Sequence, residues 1–201
     1  MEIRTFIHGV LPFLAVMAAA GFLVMRQPDM GTSIIIVAIG MAMFFVAGGR
    51  MRHFFGVGLG GLALIFALIR MAPYRMQRFL VFLNPEAHFG SEGGYQINQA
   101  LIAIGTGGIW GLGFGQSRQK FEFLTEPATD SIFAIIAEER GLIGAFAIVL
   151  IFALFGYLGY RVTKNTSDIY SRLLAAGITS WIVIQAFINI CAILSLLPLT
   201  G

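Results

Sequence analysis

The chain has 201 residues, of which 58% are hydrophobic and only 11% are charged, and its formal net charge is +3 at pH 7. Soluble domains usually carry about a quarter charged residues, so this composition excludes an ordinary soluble domain and indicates an integral membrane protein. The single cysteine, Cys191, excludes an internal disulfide. No nucleic-acid partner is expected for such an apolar chain.

Five apolar stretches are compatible with the roughly 20 residues that a helix needs to cross a bilayer. They cover residues 7–25, 30–48, 54–72, 142–160 and 173–197. The sequence therefore predicts an all-α polytopic membrane protein with about five transmembrane helices, and we expect residues 1–201 to form a single membrane domain. No small-residue cleavage site follows the first stretch, so we expect this stretch to span the membrane in the mature protein.

The positive charges predict the orientation of these helices. One side of the five-span path carries Arg4, Arg50, Arg52, Arg161, Lys164 and Arg172. The positive-inside rule places this side in the cytoplasm. The opposite side carries Arg26, Arg75, Arg78, Arg118 and Lys120, but four of these five lie in the polar segment 73–130, where charge has less influence on orientation. We therefore expect residues 73–130 to form a long extracytoplasmic loop.

The loop is expected to contain two short interfacial helices. Polar residues alternate with apolar ones over residues 74–83, which is typical of a helix lying in the membrane interface, and Asn84-Pro85 would end it. Residues 90–94 predict a turn. A second short helix is expected over residues 95–104, ended by the glycines at positions 105, 107 and 108.

A glycine run follows at residues 111–115. It has no Gly-Lys-Ser/Thr and no flanking βαβ pattern, which excludes a nucleotide-binding phosphate loop. Arg118 and Lys120 come shortly after this run, and two interpretations of them stay open: they bind a pyrophosphate, or they extend to lipid headgroups. Irregular backbone this close to lipid must be buried in protein or line a wet cavity, so we expect the loop to fold over the helices.

Acidic residues lie where the loop meets the next helix. Asp130 has two interpretations, a general base or the N-cap of that helix, with Thr129 as the competing cap. A continuous helix would place Glu138 and Glu139 roughly 12 Å further along, at the membrane boundary. Ionisable groups there are usually functional. The alternative is structural: Arg140 neutralises a glutamate, and Gly141 breaks the helix.

A series of ordered motifs runs through almost the whole chain. They lie at residues 27–32, 74–78, 84–85, 94–96, 104–108, 117–120, 126–134, 138–139 and 189–201. Together they resemble the SEDS family, the polytopic peptidoglycan glycosyltransferases of bacterial division and elongation. The Ser-Arg-Gln-Lys run at 117–120 is closer to the FtsW type than to the RodA type.

The chain also departs from the family pattern. Family members have about ten spans, whereas this chain begins at the equivalent of the fifth and stops before the last, so we expect it to be a fragment. Ser131, Arg140 and Thr125 stand where phenylalanine, leucine and proline are common. Asp130, which matches the family's essential aspartate, is retained.

The resemblance implies a function in the bacterial cytoplasmic membrane: polymerisation of lipid II into glycan strands during cell division. It implies Asp130 as the catalytic base, and Ser117, Arg118, Gln119, Lys120, Glu138 and Glu139 as substrate-binding residues. Arg118 and Lys120 are the candidates for the pyrophosphate, and a divalent cation, Mg or Mn, could share that role, although no ligand cluster indicates a metal site.

The implied partners are a class B penicillin-binding protein transpeptidase and other divisome membrane proteins, within a lipid bilayer. Two alternatives of other classes stay open. The first is a flippase for lipid-linked precursors, which would use polar groups such as Glu138 and Glu139 between its spans. The second is a non-catalytic divisome scaffold, which would function without Asp130.

Overall fold

The computed structural model describes residues 10–25, 30–71, 73–84, 90–117 and 131–198. Within these residues the protein is helical and contains no strand. The helices are α1 (Leu11–Met25), α2 (Met30–Val46), α3 (Met51–Met71), α4 (Pro73–Leu83), α5 (Glu92–Gly107), α6 (Ile132–Asn165) and α7 (Ile169–Ile193). The predicted all-α class is therefore confirmed for this part of the chain.

Helices α6 and α7 are long and apolar enough to cross a membrane, with 34 and 25 residues respectively. Only 17% and 22% of their apolar windows are buried, whereas the core helix of a soluble protein is mostly buried. Shorter apolar helices cover Leu11–Val24 and Gly31–Val46. These helices, with α3, correspond to the five predicted stretches, and the number of membrane crossings stays a prediction.

The boundaries of α7 differ from those predicted. The helix begins at Ile169 rather than at residue 173 because Asp168 caps it: its Oδ2 accepts hydrogen bonds from the Ser171 hydroxyl at 2.7 Å and the Ser171 amide at 2.8 Å. These two hydrogen bonds, the hydroxyl bond first, lower the pKa of the exposed Asp168 carboxyl from its ordinary value. The helix ends at Ile193 rather than at residue 197, and Ser195 then has a positive φ of 55°.

Both predicted short helices are present, with longer bounds for the second. α4 ends at Leu83, as the Asn84-Pro85 pair predicts. The turn predicted at residues 90–94 is wrong beyond Ser91, because Ser91 caps α5 and its hydroxyl accepts the amide of Gly94 at 3.3 Å. Gly105 lies inside the helix, which ends at Gly107, and Gly108 is its C-cap (φ 53°).

The chain divides into two compact units. The first comprises Met1–Leu68 with Ala153–Gln185, and the second comprises Ile69–Phe152 with Ala186–Gly201. In the first unit α1 packs on α2, with the ring centroids of Phe13 and Phe44 5.0 Å apart. The Tyr160 and Ser180 hydroxyl oxygens lie 2.6 Å apart and link α6 to α7 in the same unit.

The second unit contains the residues of the candidate site and has its own apolar core. That core consists of Ala100, Ala103, Phe133, Ala134, Ala137, Ala145, Ile190 and Ile193. Five of these eight residues are alanine, so the backbones of α5 and α6 can approach each other closely. This close approach lets the backbone at the end of α5 form hydrogen bonds with the backbone of α6.

Candidate functional site

The residues predicted to form the site fall into two groups. Asp130, Arg118, Gln119 and Lys120 lie outside the described residues, in the segment 118–130. Ser117, Glu138 and Glu139 are described, and the structure brings them together where the end of α5 meets the start of α6. The structure therefore defines the frame on both sides of the segment that holds Asp130.

Residues 108–113, at the end of α5, exchange backbone hydrogen bonds with residues 138–143 of α6. We call this contact the crossing. In a continuous helix the carbonyls of residues 138 and 139 would accept the amides of residues 142 and 143. Here they accept the amides of Leu112 at 2.9 Å and Gly113 at 3.1 Å. In turn the carbonyls of residues 108 and 109, at the end of α5, accept the amides of residues 142 at 2.9 Å and 143 at 3.4 Å. The backbone carbonyls and amides that are not bonded within their own helix thus bond to each other across the crossing.

The exchange of hydrogen bonds requires glycine both at the end of α5 and in α6. α6 is interrupted at Gly141, which has φ 67° and ψ −165°. A Cβ added at Gly141 would collide with the carbonyl oxygen of Ile109. A Cβ at Gly107 or Gly111 would likewise collide with a carbonyl oxygen of α6. The helix break at Gly141 that the structural interpretation anticipated is therefore confirmed, and its partner is the glycine-rich end of α5.

A buried hydrogen bond between side chains stabilises the crossing. Ser117 is 2% exposed and Glu138 is 1% exposed, and the Ser117 hydroxyl donates to Glu138 Oε2 at 2.5 Å. This short distance is typical of a hydroxyl bound to a carboxylate. Ser117 is the residue before the segment 118–130, and the bond links this residue to α6. Contact of these two buried side chains with a substrate stays a prediction.

Glu139 is a second buried carboxyl group beside Glu138. It is 8% exposed, and its buried Oε1 has no hydrogen-bond partner among the residues that the structure describes. A buried polar atom of this kind carries a desolvation cost and is often found at functional sites. The neighbouring Arg140 is exposed, and its guanidinium carbon lies 5.4 Å from the centroid of the Phe114 ring. Arg140 therefore makes a cation–π contact with the glycine-rich segment.

Ser131 fixes the far end of the segment 118–130. Its carbonyl accepts the amides of Ala134 at 3.0 Å and Ile135 at 3.3 Å, so Ser131 occupies the N-cap position of α6. Its side chain is fully buried, and its hydroxyl accepts a hydrogen bond from Gln96 Nε2 at 3.5 Å. The helix then starts at Ile132, and the two interpretations of Asp130, which lies outside the described residues, stay predictions.

Sequence reasoning did not identify Gln96 and Ser131 as a pair, or Gly107 and Gly141 as a crossing. The glycines were visible in the sequence, but which backbone they approach depends on tertiary packing. Among the described residues no group of three or more His, Cys, Asp and Glu side chains is placed to bind a metal ion. A role for Mg or Mn stays a prediction.

We expect Ser117→Ala to lower the stability of the protein. The change leaves a buried carboxylate oxygen without the Ser117 hydroxyl, which costs about 1 to 3 kcal/mol. Glu138→Gln keeps an oxygen that can accept the hydroxyl and should cost less. The measurement is the unfolding temperature in detergent, with Ser167→Ala, a change at an exposed serine, as control. Equal unfolding temperatures for Ser117→Ala and Ser167→Ala would show that the bond contributes nothing.

The fold and the site define a class of protein: a helical protein with candidate membrane spans, in which buried polar side chains lie where α5 meets α6. The whole chain, residues 1–201, matches the FTSW_RODA_SPOVE family model, described as cell cycle protein. The chain therefore belongs to this family, which confirms the resemblance seen in its motifs.

Curated relatives share substantial identity over the full chain. Stage V sporulation protein E of Bacillus subtilis (strain 168) is 45% identical over 201 residues, which are 100% of this chain and 54% of that protein. A probable peptidoglycan glycosyltransferase FtsW of Nitrosococcus halophilus (strain Nc4) is 40% identical over 203 residues, covering 100% of this chain and 52% of the relative. The chain thus spans about half the length of the curated relatives it matches.

A solved structure has the same fold. It is described as "Structural coordination of polymerization and crosslinking by a peptidoglycan synthase complex" and superposes with a TM-score of 0.72, covering 97% of this chain and 54% of that chain. The sequence identity is 20%, so this likeness supports the fold alone.

Proposed function

We propose that the protein containing this sequence is a peptidoglycan glycosyltransferase that polymerises lipid II into glycan strands. The family membership supports this activity, as does the name of the FtsW relatives, which are described as probable peptidoglycan glycosyltransferases. The protein crosses the bacterial cytoplasmic membrane several times, with residues 73–130 on its outer side. A class B penicillin-binding protein transpeptidase and other divisome membrane proteins are its partners.

The reaction requires a base rather than an acid and base pair. Lipid II carries its sugar on a pyrophosphate, which leaves without taking up a proton. A sugar hydroxyl of the acceptor attacks the donor carbon, and its proton must pass to a basic group in the transition state. We assign this role to Asp130. One carboxylate is sufficient, in contrast to the two that glycoside hydrolases use.

One structural observation carries the assignment: the described residues on either side of the segment that holds Asp130 are each hydrogen-bonded to a neighbouring helix. Ser117 bonds to buried Glu138 at one end, and Ser131 bonds to Gln96 at the other. Because Asp130 directly precedes Ser131 in the chain, its backbone is one residue from a fully buried anchor. A general base must be held within hydrogen-bond reach of the proton it takes, and such anchoring favours this.

We expect Arg118→Ala combined with Lys120→Ala to slow polymerisation by the full-length protein. If these side chains stabilise the leaving pyrophosphate, each substitution removes a charge-assisted contact worth about 1.5 to 3 kcal/mol. The measurement is the rate at saturating lipid II, compared with a variant at Arg161 and Lys164, two exposed cations outside this segment. Equal rates for the two double variants would leave Arg118 and Lys120 as headgroup anchors.

Thiol labelling tests the proposed membrane topology. We expect a cysteine at Gln116, which is exposed in the proposed outer loop, to react with an impermeant thiol reagent in intact cells. A cysteine at the exposed Asn165 should react only after the membrane is opened. Both variants are made with Cys191 replaced by alanine. The reverse labelling pattern would invert the proposed orientation.

A flippase for lipid-linked precursors is the second candidate, because the buried Glu139 Oε1, beside Glu138, has no hydrogen-bond partner within the described part of the chain. The two functions are separated by their products. Purified full-length protein in detergent contains no membrane to flip across, so formation of glycan strands from lipid II there supports the polymerase. Absence of strands together with lipid II translocation in vesicles supports the flippase. A scaffold would show neither activity.

A further inference from the structure

The glycine-rich segment after α5 exposes a group of large apolar side chains. We name the exposed residues Ile109, Trp110, Leu112 and Phe114 the Trp110 patch. Trp110 is 81% exposed and Phe114 is 82% exposed. The patch is not a loose loop, because the backbone around it takes part in the hydrogen-bond exchange with α6. Exposure of such side chains on a fixed backbone indicates a contact surface.

The patch is continuous with the exposed apolar face of α6. The amides of Leu142 and Ile143 donate to the carbonyls of residues 108 and 109, so the patch lies directly beside these two residues. Both are exposed, as are Phe146 and Leu150 further along α6. Since α6 is a candidate membrane span, the same lipid that covers its exposed face would reach the patch.

The length of the apolar run places the patch at the edge of the bilayer. Residues 142–160 form an apolar helical stretch of about 28 Å at about 1.5 Å per residue. A hydrocarbon core is about 30 Å thick, so the start of this stretch lies at one boundary. Tryptophan is enriched at this depth in membrane proteins. Arg140, over the Phe114 ring, adds a cation where lipid phosphates lie.

We propose that the Trp110 patch is a membrane-interface anchor that inserts into the headgroup and upper acyl region of one leaflet, with Arg140 at the level of the lipid phosphates. The occupant of the patch is bilayer lipid. By holding the glycine-rich segment at a fixed depth, the anchor sets the height of Ser117 above the membrane.

Tryptophan fluorescence tests this anchor, because Trp110 and Trp181 are the two tryptophans of the chain. Trp181→Phe leaves Trp110 as the single reporter, and Trp110→Phe leaves Trp181, near the middle of α7. Each variant of the 201-residue chain is reconstituted in vesicles of phosphatidylethanolamine and phosphatidylglycerol. The lipids carry bromine either next to the headgroup or near the end of the acyl chain.

We expect Trp110 to lose more fluorescence with bromine next to the headgroup, and Trp181 to lose more with bromine near the chain end. Phe114→Trp, in a chain with both natural tryptophans changed to Phe, should be quenched like Trp110. This variant shows whether the result holds at a second position of the patch. Quenching of Trp110 by aqueous iodide, with no effect of brominated lipid, would overturn the proposal. Protection of Trp110 from both quenchers would also overturn it, since a protein surface would then cover the patch.

Discussion

Replacing Asp130 by asparagine is expected to lower lipid II polymerisation by the full-length protein about 100-fold to 10,000-fold, the range that a positioned general base commonly contributes. Asparagine has nearly the size of aspartate and keeps one acceptor oxygen, but it cannot take up a proton at neutral pH. The rate should therefore fall while binding of lipid II changes little. The measurement is strand formation by the purified protein with its partner transpeptidase.

The substitution separates catalysis from helix capping. Asparagine caps helices about as well as aspartate, so Asp130→Asn retains the contribution that this side chain makes to capping α6. Asp168→Asn is a matched control, because Asp168 is an aspartate that caps α7, and asparagine caps helices about as well. The control should retain activity. Normal strand formation by Asp130→Asn would end the catalytic assignment and favour the scaffold.

The elements that the sequence predicted best depend on local patterns. The alternation of polar and apolar residues predicted helix α4 (Pro73–Leu83), and the apolar runs predicted the long helices α6 and α7. The errors are at helix ends. Ser91 and Asp168 each begin a helix earlier than hydropathy indicates, because a capping side chain satisfies amides that an apolar count does not consider.

The arrangement around the candidate site could not be predicted in the same way. Gly107, Gly111 and Gly141 are visible in the sequence, but nothing in the sequence pattern indicates that residues 26 and 34 positions apart exchange backbone hydrogen bonds. The buried bond between Ser117 and Glu138 is equally non-local. Both depend on how α5 packs on α6, and a hydropathy pattern specifies which residues are apolar but not which backbones cross.

Substitution of the glycines at the crossing is expected to have the second large effect, a lower unfolding temperature. The surroundings of these glycines distinguish a steric collision from backbone strain. Gly107→Ala places a Cβ against the carbonyl of Ala137 without a positive φ, and Gly111→Ala combines a collision with Glu139 and a φ of 80°. Gly115→Ala has a φ of 77°. No described residue lies within 4 Å of a Cβ at Gly115 or at Gly105, which lies within a helix. Crowding a packed site costs about 1 to 3 kcal/mol, and the left-handed backbone costs about 1 to 2 kcal/mol for alanine.

We therefore expect Gly111→Ala to lower the unfolding temperature in detergent most, Gly107→Ala next, and Gly115→Ala least of the three. Gly105→Ala should raise it slightly, because alanine favours a helix by up to about 1 kcal/mol over glycine. Since the crossing positions Ser117, the first two changes should also reduce strand formation at temperatures where the protein stays folded. Unfolding temperatures for Gly107→Ala and Gly105→Ala that do not differ would mean that α5 and α6 do not cross at this distance, and the frame proposed for Asp130 would then have to be abandoned.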